Sequence, residues 1–441
     1  MTPSTVDDFR WLISEEAAPI LIEVQDAIEV QINALQIAKK LRKQISPERS
    51  ALVMEQANLR IRAKKKFSHP EKMFFTRRGL EQSSGKLIAQ YKAMRFAGLA
   101  NVADICCGIG GDLIGLAKRG VRSSCFDPTQ LRTPKTEQLD PSEIRTIGVD
   151  ADELTSLFAR RNLEASGLDS ELHCIEQVDF DQFAIDSMDG IHIDPDRRMK
   201  DRTVRGNHFS PSLQSIYERV SDDCSLAIKV APATPTADYY PQSLHREWIG
   251  DHRECKQQVL WSGPFSNLAG YRTATYIGRN GLVSQISIEE SKMDRPVQMF
   301  DSIYDFIYEP HSAVLAAGMT DVIARQYGLR RFTSQIVYLT GDQVIDDPLL
   351  SRFQVLQILP MSLRKTIKIL RSLEVGVVEL KKRGIDNVTV EQYGRMKLDG
   401  PNKATVILTR LGNTRIAIIA KRKGNDLQIP DVADQQELGP A

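Results

Sequence analysis

The 441-residue sequence predicts an α/β protein: a mainly parallel sheet, preceded by a helical lead-in and followed by a smaller α+β domain. Three observations carry this. Between about residues 67 and 280, strand-like apolar runs alternate with helical stretches, the rhythm of a parallel sheet covered on both faces. Residues 1 to about 66 hold almost no glycine and keep apolar residues at three- and four-residue spacing. From Phe353 to Lys423 strands and helices alternate again and close on a hairpin-like pair around Gly412 and Asn413.

The elements follow in order. IEVQDAIEVQINALQIAKKL (22–41) is an amphipathic helical stretch, and Ser46-Pro47-Glu48 marks a helix start before SALVMEQANLRIRAKKK. The apolar face of this lead-in, residues 1–66, is expected to pack on the next domain. The central domain, 67–280, offers VADICC, RTIGVD (145–150), GIHID (190–194), CSLAIKV (224–230), ECKQQVLW (254–261) and ATYIGR (274–279) as strands. No helix separates the last two, which predicts that they pair antiparallel. VRSSCFDPTQLRTPKTEQLDPSE, between Gly120 and Ile144, is rich in Pro, Ser and Thr and reads as an inserted loop. Residues 281–352 read as a linking region with a helix at VLAAGMTDVIARQYGL, 353–423 as the smaller domain, and 424–441 as a polar, disordered tail.

Composition narrows the class. Hydrophobic content of 41% and charged content of 26% match a globular chain with a sizeable core. No run approaches the ~20 apolar residues of a membrane helix, and MTPSTVDDFRWL is unlike a signal peptide, so a cytoplasmic protein is expected. The six cysteines show no C-x-x-C spacing, which points away from a zinc site or a disulfide framework. A net charge of +1 hides local basic clusters at 39–43, 60–66, 197–202 and 381–383, which read as solvated faces or as parts of a nucleic-acid surface.

The chemistry starts at ADICCGIGGD (103–112), a glycine turn between a strand and a helix. Such a turn lets the backbone approach a nucleotide-like ligand and aims helix amides at it. Leu113 stands where a dinucleotide fingerprint needs its third glycine, and no Gly-Lys-Ser/Thr follows. Cys106 and Cys107 read as packing groups rather than nucleophiles. Asp150 ends the second strand, where a carboxylate can accept from two ribose hydroxyls. It takes precedence over Asp127, which runs into Pro128 and the loop. Asp179 and Phe180 in QVDFDQF stand after the third strand region, placed to meet an adenine or, for Asp179, to cap a helix. HIDPDRR places Asp194 and Pro195 at the end of a central strand, where ligands bind in open α/β sheets.

The pattern Asp104-x-x-x-Gly108-x-Gly110-Gly111 resembles motif I of the class I S-adenosylmethionine (SAM) methyltransferases, whose glycines approach the amino-acid half of the cofactor. A β-branched side chain at Gly110 is therefore expected to fill cofactor space. With KMFFTRRGLEQSS, GVDADELTSLFARRN, HIDPDRR and GNHFSPSL, about residues 50 to 423 are similar to a bacterial group of these enzymes with a carboxyl-terminal THUMP-like domain. Their catalytic domain resembles trimethylguanosine synthase, an RNA cap guanine-N2 methyltransferase.

This resemblance implies a Rossmann-like methyltransferase sheet, SAM as cofactor and no metal. It places Phe75 and Thr76 over the cofactor and matches Asp194-Pro195 to an Asp/Asn/Ser-Pro-Pro-aromatic motif that holds a base amine. Asp196 and Arg197 depart from that motif, and Arg197 would stack on a base or hold a phosphate in place of the aromatic. The THUMP-like tail implies an RNA partner, tRNA or rRNA, docked through Lys381, Lys382 and Arg383, and no membrane. The expected activity is methylation of an RNA base amine, catalysed by Asp194, Pro195 and Arg197. The alternatives are a small-molecule or protein methyltransferase, or a non-catalytic RNA-binding protein that keeps the SAM fold.

Overall fold

A computed structural model describes residues 5–119, 139–197, 209–235, 244–266, 268–333 and 336–423. Most of the inserted loop, Asp127 included, the polar tail from 424 and most of the basic stretch 197–202 lie outside the described residues, as does the Arg197 side chain. The chain forms two compact units, one of Met1–His252, Lys256–Tyr271 and Ile277–Val283, the other of Arg253–Cys255, Arg272–Tyr276 and Ser284–Ala441.

The first unit opens with α1 (Val6–Leu12), α2 (Ala18–Glu29), α3 (Ala34–Leu41) and α4 (Pro47–Ala63). The start of α4 follows the sequence signal: Ser46 accepts a hydrogen bond from the Arg49 amide, and Pro47 sits in the first turn, where its missing N–H costs nothing. The apolar stripes of these helices enclose one core with Phe74, Phe75, Ile109 and Phe158 of the following domain. The lead-in thus packs on that domain, as its amphipathic pattern requires.

Then come α5 (Arg77–Gln82), α6 (Lys86–Ala93), β1 (Asn101–Ile105), α7 (Gly111–Ala117), β2 (Arg145–Val149), α8 (Glu153–Ala165), β3 (His173–Glu176) and β4 (Gly190–Ile193). After β4 follow the short β5 (Asp196–Arg197) and β6 (Phe209–Ser210), α9 (Leu213–Arg219), β7 (Ser225–Val230), β8 (His245–Asp251) and β9 (Glu254–Ser262). The strands lie in the order β8-β9-β7-β4-β1-β2-β3. From β7 to β3 every pair is parallel, and β9 joins β7 antiparallel. β4 and β7 are buried along their whole length, which explains their continuous apolar runs.

Two expectations need correction here. HREWIGD forms β8, a strand its polar residues concealed, and it takes the free edge of β9. ECKQQVLW is therefore flanked by β8 and β7 and does not pair with β10 (Tyr271–Ile277), which neighbours β11 (Val283–Glu289).

The second unit continues with β12 (Phe306–Pro310), α10 (Ser312–Ala316), α11 (Thr320–Gln326), β13 (Arg330–Arg331), β14 (Leu339–Gly341), β15 (Leu350–Pro360), α12 (Leu363–Ser372), β16 (Val375–Lys382), α13 (Asn387–Gly394), β17 (Asn402–Leu411) and β18 (Thr414–Arg422). Its sheet runs β13-β14-β12-β15-β18-β17-β16, with β16 parallel to β17. The stretch expected only to link the domains, 281–352, supplies three strands of this sheet. The Gly412-Asn413 hairpin joins β17 to β18, with Gly412 at φ +55°. The helix expected at 314–329 is split into α10 and α11 around Gly318, whose φ of +70° interrupts the helical turn. Among the described residues no helix is long and apolar enough to cross a membrane.

Candidate active site

The strand order of the first unit reverses between β1 and β4, and at such a point the loops leaving two neighbouring strands diverge and open a crevice. A cleft of about 740 Å³ opens there, lined entirely by residues of the first unit.

One wall is the turn from β1 into α7. Gly110 caps α7 at φ +87°, and a Cβ on it would face α8, 3.8 Å from the backbone of Ala159. Gly110 is not among the residues lining the cleft. It is glycine because the turn is left-handed, so a side chain there fills the space toward α8 and not the ligand's. Gly108, at φ +57°, does line the cleft, and a Cβ there would meet nothing within 4 Å. Gly111 also lines it and lets α7 approach Ser83, whose Cβ would lie 2.9 Å from an added Cβ. Cys106 holds φ +55° without being glycine, a strained conformation of the kind that gathers at ligand sites. Burial, reinforced by Asp150 and Asp194, pushes its thiol up and keeps it protonated, and Cys107 is buried and pushed up in the same way.

Asp150 stands one residue beyond β2. Its Oδ2 accepts from the Gly108 amide at 3.0 Å and its Oδ1 from the Asp152 amide at 3.0 Å. Burial raises its carboxyl above the ordinary value, and these two amide hydrogen bonds oppose the shift. Each oxygen retains a second lone pair for a hydroxyl donor. Asp179 and Phe180 line the cleft farther along, and Asp179 leads a single 3₁₀ turn without spending its side chain on a cap. Phe180 is backed by the Arg219 guanidinium, 4.5 Å from the ring centroid.

Upstream of the glycine turn, Thr76 lines the cleft while its hydroxyl caps α5 by accepting from the Gly79 amide at 2.9 Å. Phe75 does not reach the cleft. It is buried in the lead-in core, 5.5 Å from the ring of Phe67, because α4 and the Phe74–Phe75 segment close on each other.

Asp194 and Pro195 line the opposite wall, just past β4. The Asp194 side chain is 34% exposed, which leaves part of the carboxylate open to the cleft. Asp196, also in the lining, pairs with Arg78 of α5. Phe209 lines the cleft from β6, directly opposite Arg197 in the short antiparallel pair that follows Pro195.

Beneath the cleft lies a chain of buried charges. Asp104 and His192 are register partners on β1 and β4, and His192 Nδ1 lies 2.7 Å from Asp104 Oδ1. His192 Nε2 lies 2.9 Å from Lys92 Nζ, so its lone pair faces the ammonium and Nδ1 carries the proton. Lys92 Nζ is 2.8 Å from Asp112 Oδ1, and Ser84 donates to Asp112 Oδ2 at 2.8 Å. Lys229 Nζ is 3.9 Å from Asp112 Oδ2 and 2.5 Å from Asp194 Oδ2. Burial pushes Asp104 up and Lys92 down. Burial alone would also raise Asp112, but Lys92 and the other cations around it hold its carboxyl below the ordinary range. Burial would lower Lys229, but Asp194 and Asp112 raise it. Lys92, Asp112, His192, Lys229 and Phe209 were not singled out from sequence. A histidine and a lysine inside the apolar runs GIHI and SLAIKV were the available signal.

Residues 350–422 match the family described as THUMP domain-like, and residues 5–63 match a domain of unknown function. Two uncharacterized S-adenosylmethionine-dependent methyltransferases from Mycobacterium tuberculosis strains are each 25% identical over 346 residues, covering 77% of this chain and 85% of theirs. The crystal structure of a putative methyltransferase from Porphyromonas gingivalis W83 superposes with a TM-score of 0.69 at 19% identity, over 95% of this chain and 98% of that one. The chain has a class I methyltransferase fold with a carboxyl-terminal THUMP-like domain.

The residues present fit SAM. Asp104 Oδ2 is buried at the base of the cleft with no hydrogen-bond partner among the described residues, ready for a cationic or N–H group. Gly108 offers a bare backbone facing open space, and Asp150 retains acceptor capacity beside it.

Proposed function

We propose that this SAM-dependent methyltransferase acts on RNA in the cytoplasm and methylates an exocyclic base amine, with guanine N2 as the first candidate. The observation that carries the reading is Asp194. Its Oδ2 is bound to Lys229, and its Oδ1 has no hydrogen-bond partner among the described residues, at the end of the strand beside the glycine turn. A base amine is a poor nucleophile because its lone pair is delocalised into the ring, so positioning carries much of the rate. Asp194 Oδ1 and the Pro195 carbonyl would accept the two amine hydrogens and turn the lone pair toward the cofactor. When bound, SAM supplies a methyl group on a sulfonium, an electrophile that needs no metal. The proton lost by the amine passes to solvent at the open mouth of the cleft.

Phe209 supports a planar substrate. The aromatic missing after Pro195 is supplied by the strand paired with that segment, so a base can stack on Phe209 while Asp194 holds its edge. The likeness to trimethylguanosine synthase belongs to this reading and rests on Asp194-Pro195.

The second unit supports RNA, with a basic helix face in addition to the expected cluster at 381–383. Lys381 pairs with Glu309 at 2.5 Å, Arg383 with the same carboxylate at 3.5 Å, and Lys382 donates to Asn387. Lys381 is only partly exposed beside that carboxylate, whereas Lys382 and Arg383 are exposed. On α12, Arg364, Lys365, Lys368 and Arg371 are exposed and form no ion pair among the described residues, while Leu370 is buried and Leu363, Ile369 and Leu373 pack on the same core. With its apolar side buried, α12 presents a basic face suited to phosphates.

Nucleoside mass spectrometry on RNA from cells with and without the protein tests the reading. One methylated base should be lost with the gene. An unchanged set of nucleosides would move the substrate to a small molecule or a protein.

A further inference from the structure

Lys229 is held by groups from three directions. Its ammonium, with a side chain 10% exposed, donates to the Gln82 carbonyl at 3.0 Å and to Asp194 Oδ2 at 2.5 Å, and Asp112 Oδ2 lies 3.9 Å away, within ion-pair distance. An ammonium has three protons, and two of them are held by protein oxygens, one of these on Asp194.

The sheet builds this pairing. Ile193 and Ile228 are register partners on β4 and β7, so the next residues, Asp194 just past β4 and Lys229 still within β7, stand side by side. From there the charged chain continues through Asp112 and Lys92 to His192 and Asp104. Asp194 stands at its exposed end and Asp104 at its buried end, both in the lining of the cleft. One carboxylate oxygen is fixed by a charge-assisted hydrogen bond while the other is left for a ligand. An unclamped aspartate at a cleft mouth would sample several rotamers and would have to be ordered as the reaction proceeds.

We propose that Lys229 is a positioning residue for methyl transfer: it anchors Asp194 Oδ2 so that Oδ1 faces the amine, and it acts only through Asp194. This rests on the reading of Asp194 as the amine-orienting group.

The test is a double-mutant cycle on the full chain, with tritiated SAM and, as probe, total RNA from cells lacking the protein. In single turnover, Lys229→Met should lower the transfer rate by about tenfold or more, the size of a lost charge-assisted hydrogen bond, with SAM affinity and half-saturating RNA unchanged. In an Asp194→Ala background the same substitution should cost no further rate, because its only route to the reaction is gone. Additive losses, or an equal rise in half-saturating RNA, would overturn the proposal in favour of a general structural role. If Lys229→Met melts below the assay temperature, Lys229→Gln, which keeps a donor for the Gln82 carbonyl, decides the same cycle. If the unaltered chain labels no RNA, the substrate reading fails, and a crystal structure of Lys229→Met decides the clamp. A displaced Asp194 carboxylate supports it, and an unmoved one overturns it.

Discussion

Substituting Gly108 and Gly110 in parallel separates a ligand-facing glycine from a turn-forming one. Both have positive φ, +57° and +87°, so any L side chain costs each of them about 1–2 kcal/mol of backbone strain. Gly110→Ala adds a Cβ at ordinary contact distance from Ala159, 3.8 Å, so strain is its whole cost. Gly108→Val carries a larger strain, because valine is β-branched, and also projects its methyl groups into the cleft, where a Cβ meets nothing within 4 Å among the described residues. Overfilling a fitted site costs about 1–3 kcal/mol, or roughly 5- to 150-fold in Kd. Thermal melts should show both variants destabilised, Gly108→Val the more. Calorimetry with SAM should show Gly108→Val weakened by that factor and Gly110→Ala close to the unaltered protein. Lost SAM binding in Gly110→Ala with normal binding in Gly108→Val would refute the assignment of the two glycines.

Phe209→Ala should raise half-saturating RNA several-fold while Phe209→Trp keeps activity, as steady-state methylation assays will show; unchanged values in both would remove Phe209 from the substrate site. Replacing Arg364, Lys368 and Arg371 by Gln should weaken RNA binding and lower the log–log salt slope by about 2–3, at ~0.7–0.9 per phosphate contact, with SAM affinity unchanged; an unaltered slope would place RNA elsewhere. Lys92→Met strands Asp112 beside the core and should cost about 3–5 kcal/mol in urea unfolding at pH 7; a loss below about 1 kcal/mol would show the buried chain to be dispensable for stability. Asp112 is held below its ordinary value of 3.8, so its stabilisation is present above that pH and lost as pH falls through the depressed folded value. Lys92→Met, which raises that folded value, should therefore move acid unfolding to higher pH. Asp104, pushed up by burial, has the opposite sign: its contribution is complete below 3.8 and is lost as pH rises through its folded value.

Local signals were legible in the sequence because their causes are local. The turn at Gly108–Gly111, the cap at Ser46-Pro47, the hairpin at Gly412-Asn413 and the apolar runs of β1, β4 and β7 follow from dihedral preference and periodicity within a few residues. Asp150, Asp179 and Asp194 could be marked because each follows a strand whose carboxyl end faces a ligand in this kind of sheet. What the chain brings together across large separations was not legible. His192 meets Asp104 and Lys92, 88 and 100 residues away, only because β1 and β4 pair in one register and α6 packs beneath them. Glu309 pairs with Lys381 from 72 residues away while Lys382 and Arg383 stay exposed, so which cations of a basic run face solvent is decided by the fold. Phe75 carried the same local pattern as Thr76 beside it, yet one is buried in the lead-in core and the other lines the cleft. Strand order and register are long-range choices, fixed when every buried face and charge must find a partner at once, and only the tertiary structure decides them.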